Sequence, residues 1–301
     1  MNKKAALREQ SIMIGFALCC FVGLSYLLNY CVGLLFAKIP GMAAPLWIYL
    51  AGIAQYILII GILILILSRG RELAVWYQRP TKTQTLLAVP MYLTLNVLTM
   101  IIAAAMIAFL AKFNIGIPPY AIPLPDGAFL KILYALLYVL LPAFMEELLF
   151  RGLILSRLSQ FGEWFAIIVS SILFSAAHGD VSRFPSIFLL AILLAFTASR
   201  TRSLVIPTLI HFLNNALAMV ANAEMSPRGE DVFFLSIWLS GVFCAIAVVL
   251  FRETILRSFA KKTCDDENRG VSALRIFATV PMAAAIVLFI LMMILSVTKA
   301  V

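Results

Sequence analysis

Apolar residues in this chain fall in long unbroken runs, separated by short polar or proline-marked breaks. Nine runs can be drawn, at 11–37, 46–68, 84–111, 128–156, 163–178, 185–199, 203–222, 232–251 and 273–297. An apolar stretch of about 18 residues or more can cross the hydrocarbon of a bilayer as a helix. Runs 163–178 and 185–199 are short for a span, as helices beside a water-filled cavity can be. Pro40-Gly41, Pro118-Pro119 and the Pro123/Pro125 pair mark connections. The pattern predicts an all-α fold, a polytopic membrane helical bundle of about eight to nine transmembrane helices. Residues 1–301 form a single membrane domain. The one long hydrophilic connection, "RETILRSFAKKTCDDENRGVS" at 252–272, reads as a cytoplasmic linker to a last helix. That helix could be an appendage to an eight-helix core.

Composition agrees. Of 301 residues, 63% are hydrophobic and 12% charged, against about 25% charged in soluble domains. The first apolar run exceeds the 7–15 residues of a signal-peptide core and no A-x-A-like site follows, so it is expected to stay as a first helix. With the N-terminus inside, 17 of the 23 Lys and Arg fall on the inner side and 6 on the outer. Basic residues favour cytoplasmic loops, so the N-terminus is expected to be cytoplasmic in a multi-pass cell-membrane protein. The net charge of +9 is thus a membrane signal. No basic stripe with interleaved aromatics points to nucleic acid. Cys19, Cys20, Cys31 and Cys244 lie in apolar runs and Cys264 in the linker, without metal-ligand spacing.

The chemistry starts at "LPAFMEELLFRG", 141–152. A charged side chain at a bilayer centre costs about 2.5–3.5 kcal/mol even on the lenient insertion scale, and marks function by default. Helical spacing puts Glu147 and Arg151 one turn apart on one face. Glu146 points about 100° away, which leaves its carboxylate for other work. The chain has only two histidines, His178 closing "FSAAH" and His211 opening "HFLNN". Phe174 shares a helix face with His178, and His211 with Asn215. At about 1.5 Å per residue, Glu146 lies about 16 Å from Arg157, and His178 about 22 Å from Glu163. From Arg202, His211 lies about 14 Å away and Asn215 about 20 Å. Similar depth on three helices allows one pocket, expected to open to the cytoplasm.

A carboxylate beside a neutral imidazole can activate water. A second imidazole and a carboxamide can stabilise an oxyanion. No G-x-S-x-G or H-E-x-x-H is present, so neither a serine hydrolase nor a zincin is indicated. "EELLFR", "FSAAH" and "HFLNN", in that order, resemble the E-E-x-x-x-R, F-x-x-x-H and H-x-x-x-N motifs of the CPBP (Abi) family, the type II CAAX prenyl endopeptidases. The resemblance covers about 130–220, within a motif-bearing core of about 128–222.

That resemblance implies a glutamate-dependent intramembrane endopeptidase. Glu146 would be the water-activating base and His178 its partner. His211 and Asn215 would stabilise the oxyanion, Glu147 and Arg151 would orient the site, and Phe174 would pack beside His178. No cofactor is expected; two His and two Glu could hold Zn²⁺ as the lesser alternative. The partners implied are the lipid bilayer and a peptide or protein substrate at the membrane, including prenylated or lipidated precursors. A silent scaffold of the same fold and a proton-coupled transporter are the other readings. Paired halves with broken helices, frequent in transporters, are not visible.

Overall fold

The computed structural model describes residues 3–39, 44–68, 78–116, 124–221, 223, 227–260 and 273–299. The breaks at Pro40-Gly41, Pro118-Pro119 and Pro123, linker residues 261–272 and Cys264 lie outside them. Among the described residues ten helices carry the fold: α1 (Lys3–Lys38), α2 (Pro45–Ser68), α3 (Lys82–Ala111), α4 (Ala128–Phe161), α5 (Glu163–Ala177), α6 (Phe184–Thr201), α7 (Val205–Ala221), α8 (Pro227–Leu250), α9 (Arg252–Ser258) and α10 (Val280–Leu295). Among the described residues, the extended pairing is one two-residue antiparallel ladder, Ile115–Gly116 with Thr298–Lys299. Six of these described helices are long and apolar enough to cross a membrane, and α5, α7 and α10 are shorter apolar helices. The chain is an integral membrane protein. Large apolar side chains such as Leu65, Leu86, Phe243 and Leu250 stand exposed on the outer faces, where lipid would cover them.

Helix starts follow local chemistry. α3 begins before its apolar run because Thr81 and Gln84 form a capping box: Gln84 N donates to Thr81 Oγ1 at 3.2 Å, and Thr81 N to Gln84 Oε1 at 2.9 Å. The Gln84 side chain also donates to Ser258 O, tying α9 to α3.

Polar contacts collect one set of helix ends into a layer, the basal end. Arg157 near the end of α4 donates to Gln10 of α1 and to Leu67 O of α2. Ser11 bonds Ile276 O and Thr279 Oγ1 just before α10. Arg200 of α6 pairs with Glu163 of α5 at 3.1 Å, and Gln78 N reaches Arg202 O. The Ile115/Lys299 ladder lies at the distal end.

The last helix is not an appendage. Met282, Ala285 and Phe289 are buried in the largest hydrophobic cluster, with Ile14 and Leu18 of α1 and Ile154 of α4. Gly15 permits this approach: a Cβ there would lie 2.3 Å from the Met282 backbone N. Only a glycine lets α1 and α10 pack so closely.

α4 carries the acidic motif and departs from a regular α-helix at two wide turns, before ending in a 3-10 turn at Ser159–Phe161. Residues Leu136–Leu140 and Leu148–Leu155 are π-helical, with Leu141 N reaching Leu136 O five residues back. Pro142 follows the first wide turn. Its ring would clash with the carbonyl four residues back and it has no N–H to donate; widening the turn relieves both. Wide turns of this kind recur at functional sites. The ordinary α-helical segment between them, Leu141–Glu147, ends on the two glutamates.

Candidate active site

Glu147 and Arg151 form the predicted pair, with Arg151 Nη1 donating to Glu147 Oε1 at 2.8 Å and both side chains 0% exposed. Three more helices close on them. Arg151 Nη2 donates to Ala191 O of α6 at 3.2 Å. The guanidinium lies 4.2 Å over the Phe174 ring of α5, a favourable cation–π contact. His211 of α7 places Nδ1 2.8 Å from the same Glu147 oxygen. Two fully buried charges persist only when paired and hydrogen-bonded, and this pair is held by four helices.

Glu146 faces elsewhere, as the helical angle requires. Tyr56 of α2 donates its hydroxyl to Glu146 Oε1 at 2.6 Å. Glu146 Oε2 is 3.9 Å from His211 Nε2 and has no hydrogen-bond partner among the described residues. Glu146, His178, His211 and Asn215 all line one cavity of about 350 Å³, together with Tyr56, Tyr138 and Arg183. Phe174 stands beside His178, ring centroids 4.8 Å apart, and edge-on to His211 at 5.7 Å.

The partners fix the imidazole roles. His178 Nδ1 is 2.8 Å from Phe174 O. A carbonyl can only accept, so Nδ1 carries the hydrogen and Nε2 of the neutral ring is an acceptor. Gly179 ends the helix behind His178 at φ +63°, with its N–H on Ala176 O at 3.0 Å. That left-handed stop favours glycine. His211 Nδ1 likewise donates to the Glu147 carboxylate, so Nε2 facing Glu146 is bare unless the ring carries a second proton.

Asn215 has its own support. Asn214 Nδ2 donates to Asn215 Oδ1 at 3.4 Å, Tyr92 OH to Asn214 Oδ1 at 3.4 Å, and Asn96 Nδ2 to Tyr92 OH at 3.3 Å. With its carbonyl taken, Asn215 keeps its NH₂ for another acceptor. Tyr56, Tyr92, Asn96, Asn214 and Arg183 went unnoticed in the sequence. Each is a polar residue with no spacing signal of its own; only the apolar surroundings of Tyr56, Tyr92 and Asn96 could have drawn attention.

The cavity's direction differs from expectation. His178 follows α5, whose start is basal, and Arg183 precedes α6, whose end is basal. Tyr134 and Met219, also lining residues, lie on the distal halves of α4 and α7. The cavity therefore runs from mid-depth toward the distal end, away from the N-terminus. Depth alone was legible from the sequence. The direction depends on which neighbouring side chains leave space.

Glu147 Oε1 is engaged by Arg151 and His211, and Nδ1 of each imidazole is engaged as well, which leaves the two Nε2 atoms and Glu146 Oε2 as the donors at the cavity. Among the described residues no three His, Cys, Asp or Glu are gathered to hold one ion.

Residues 128–217 match the family described as type II CAAX prenyl endopeptidase Rce1-like. Over this stretch the chain is similar to an Rce1-like domain. It spans α4 to most of α7 and contains Glu146, Glu147, Arg151, Phe174, His178, His211 and Asn215. At the level of the family, that similarity supports an intramembrane CAAX-type endopeptidase. No curated protein and no solved structure matches the chain. Tyr56 and Tyr92 come from helices outside the Rce1-like domain, so the flanking helices complete the surroundings of its site.

Proposed function

We propose that this protein is an intramembrane endopeptidase of the glutamate type, cleaving a peptide bond with water activated by Glu146. The observation that carries this is the convergence of Glu146, His178, His211 and Asn215, from three helices, on one cavity. Glu146 takes one proton of a water, and His178 Nε2 accepts the hydrogen bond of the other. The hydroxide attacks the carbonyl carbon. Asn215 NH₂ donates to the oxyanion, joined by His211 Nε2–H when that ring is doubly protonated. Collapse breaks the C–N bond, and the proton on Glu146 passes to the leaving amine. Tyr56 holds the Glu146 carboxylate in place; Glu147 and Arg151 hold His211. The reaction uses no metal or other cofactor.

The substrate is a peptide or a protein segment at the membrane, lipidated precursors included. In the cell membrane the basal end faces the cytoplasm, because Lys4, Arg8, Arg79, Lys82, Arg157, Arg200 and Arg202 lie there. The cavity then opens on the opposite side. Two experiments test these points. Purified protein in detergent should cleave members of a peptide library, and Glu146→Gln should not; equal cleavage by both would remove Glu146 as the base. Binding without cleavage by the parent would favour the scaffold reading. In intact cells a membrane-impermeant thiol reagent should label Val181→Cys and spare Gln160→Cys. The reverse pattern would invert the orientation.

A further inference from the structure

Arg183 is not part of the chemistry above, yet its side chain lines the same cavity as His178 and Asn215. It is the only Lys or Arg among the described lining residues. The guanidinium side chain thus borders the same space as the proposed reacting groups. Its backbone is fixed by a tight turn. Asp180 Oδ1 accepts from Ser182 N at 2.8 Å, Ser182 Oγ at 2.6 Å and Arg183 N at 3.1 Å. Asp180 Oδ2 accepts from Arg183 Nε at 2.8 Å. The Asp180 side chain is 12% exposed and that of Arg183 33%. A guanidinium held through Nε keeps its planar fork oriented, and such forks match carboxylates.

We infer that Arg183 is a specificity-determining residue that receives a carboxylate of the peptide substrate. The other lining groups are aromatic, aliphatic, imidazole, carboxamide and the Glu146 carboxylate. None of them offers a fixed positive charge. A carboxylate entering near Glu146 meets like-charge repulsion unless Arg183 receives it, so the cavity selects where along the peptide the negative charge sits. The shared chemistry has two sources, a C-terminal carboxylate or an acidic side chain. The inference rests on the proposed peptidase reading only for naming a peptide as the ligand, so its test is binding, without turnover.

The protein carrying Glu146→Gln is titrated in detergent with a fluorescein-labelled apolar hexapeptide in three forms: free C-terminal acid, C-terminal amide, and amide with one interior Glu. One of the two carboxylate forms should bind at least about tenfold tighter than the plain amide, roughly 1.4 kcal/mol. Which one it is names the source. Adding Arg183→Gln should abolish the difference, and Arg183→Lys should restore part of it, which separates loss of charge from loss of fold. Equal or undetectable binding of all three forms overturns the inference, as does a preference that survives Arg183→Gln. If carboxylate-dependent binding appears while the parent cleaves no peptide, the subsite stands and the peptidase reading falls.

Discussion

Replacing Arg151 by methionine keeps an apolar stem and removes the guanidinium, leaving Glu147 buried at 0% exposure. At 2.8 Å and an effective dielectric of about 20, the lost attraction is about 6 kcal/mol. Desolvation of the two ions, several kcal/mol each, offsets much of that in the intact protein. In the variant the desolvation of Glu147 remains without its partner, and removal of one member of such a pair costs about 3–5 kcal/mol. His211 Nδ1 still reaches Glu147 Oε1, which argues for the lower part of that range. Arg151→Met/Glu147→Gln removes both charges and should recover much of the loss. The assay is thermal unfolding in mild detergent. With about 2–4 °C per kcal/mol for domains of roughly this size, the single variant should melt about 6–12 °C below the parent. A single variant within about 2 °C of the parent, or a double variant less stable than the single, would refute the structural role given to the pair. Arg151→Lys should fall between, because a point charge replaces the fork that spans Glu147 and Ala191.

Asn215→Ala should lower kcat about 10²–10³-fold with little change in KM, because its donor acts on charge that develops in the transition state; an unchanged kcat with a raised KM would make it a substrate-binding residue. Tyr92→Phe should give a smaller loss of kcat, since it acts on Asn215 only through Asn214. Exhaustive treatment with a strong zinc chelator should leave activity intact, whereas loss on chelation restored by added Zn²⁺ would make the site a metal centre. Gly15→Ala should destabilise the protein by about 1–3 kcal/mol, because the new Cβ meets Met282 backbone that cannot step aside; an unchanged melting temperature would count against tight packing of α1 on α10.

The motif residues were legible because charge in an apolar run is costly and helical spacing is simple. Glu147 and Arg151 had to pair, and Glu146 had to face elsewhere. Similar depth on three runs was enough to anticipate a shared pocket. The double use of His211 was not legible, because two adjacent glutamates on α4 leave open which one an imidazole on α7 will meet. Tyr56 could not be singled out, since a tyrosine in an apolar helix is equally at home at a lipid interface. The wide turns in α4 escaped too: only Pro142 hinted at the first, and no residue preference marks the second. Nor could the sequence show that α10 packs on α1, which depends on Gly15 meeting a backbone 267 positions away.

The second wide turn makes α4 a rod with a dislocation in it. The wide turn sets the residues after it back by roughly the angle of one residue, about 100°, from where an unbroken α-helix would put them. Deleting any one residue within 148–155 would heal the dislocation. The upstream part, with Glu146, would keep its azimuth. The downstream part would keep its azimuth too, because the wide turn already absorbs the extra residue, so Arg157 would stay on Gln10 and Leu67 O, its anchors at the basal end. The site and the clasp beneath it are thus held in phase across the surplus residue by the wide turn, whereas a one-residue deletion in the regular segment Leu141–Glu147 would turn one against the other by about 100°.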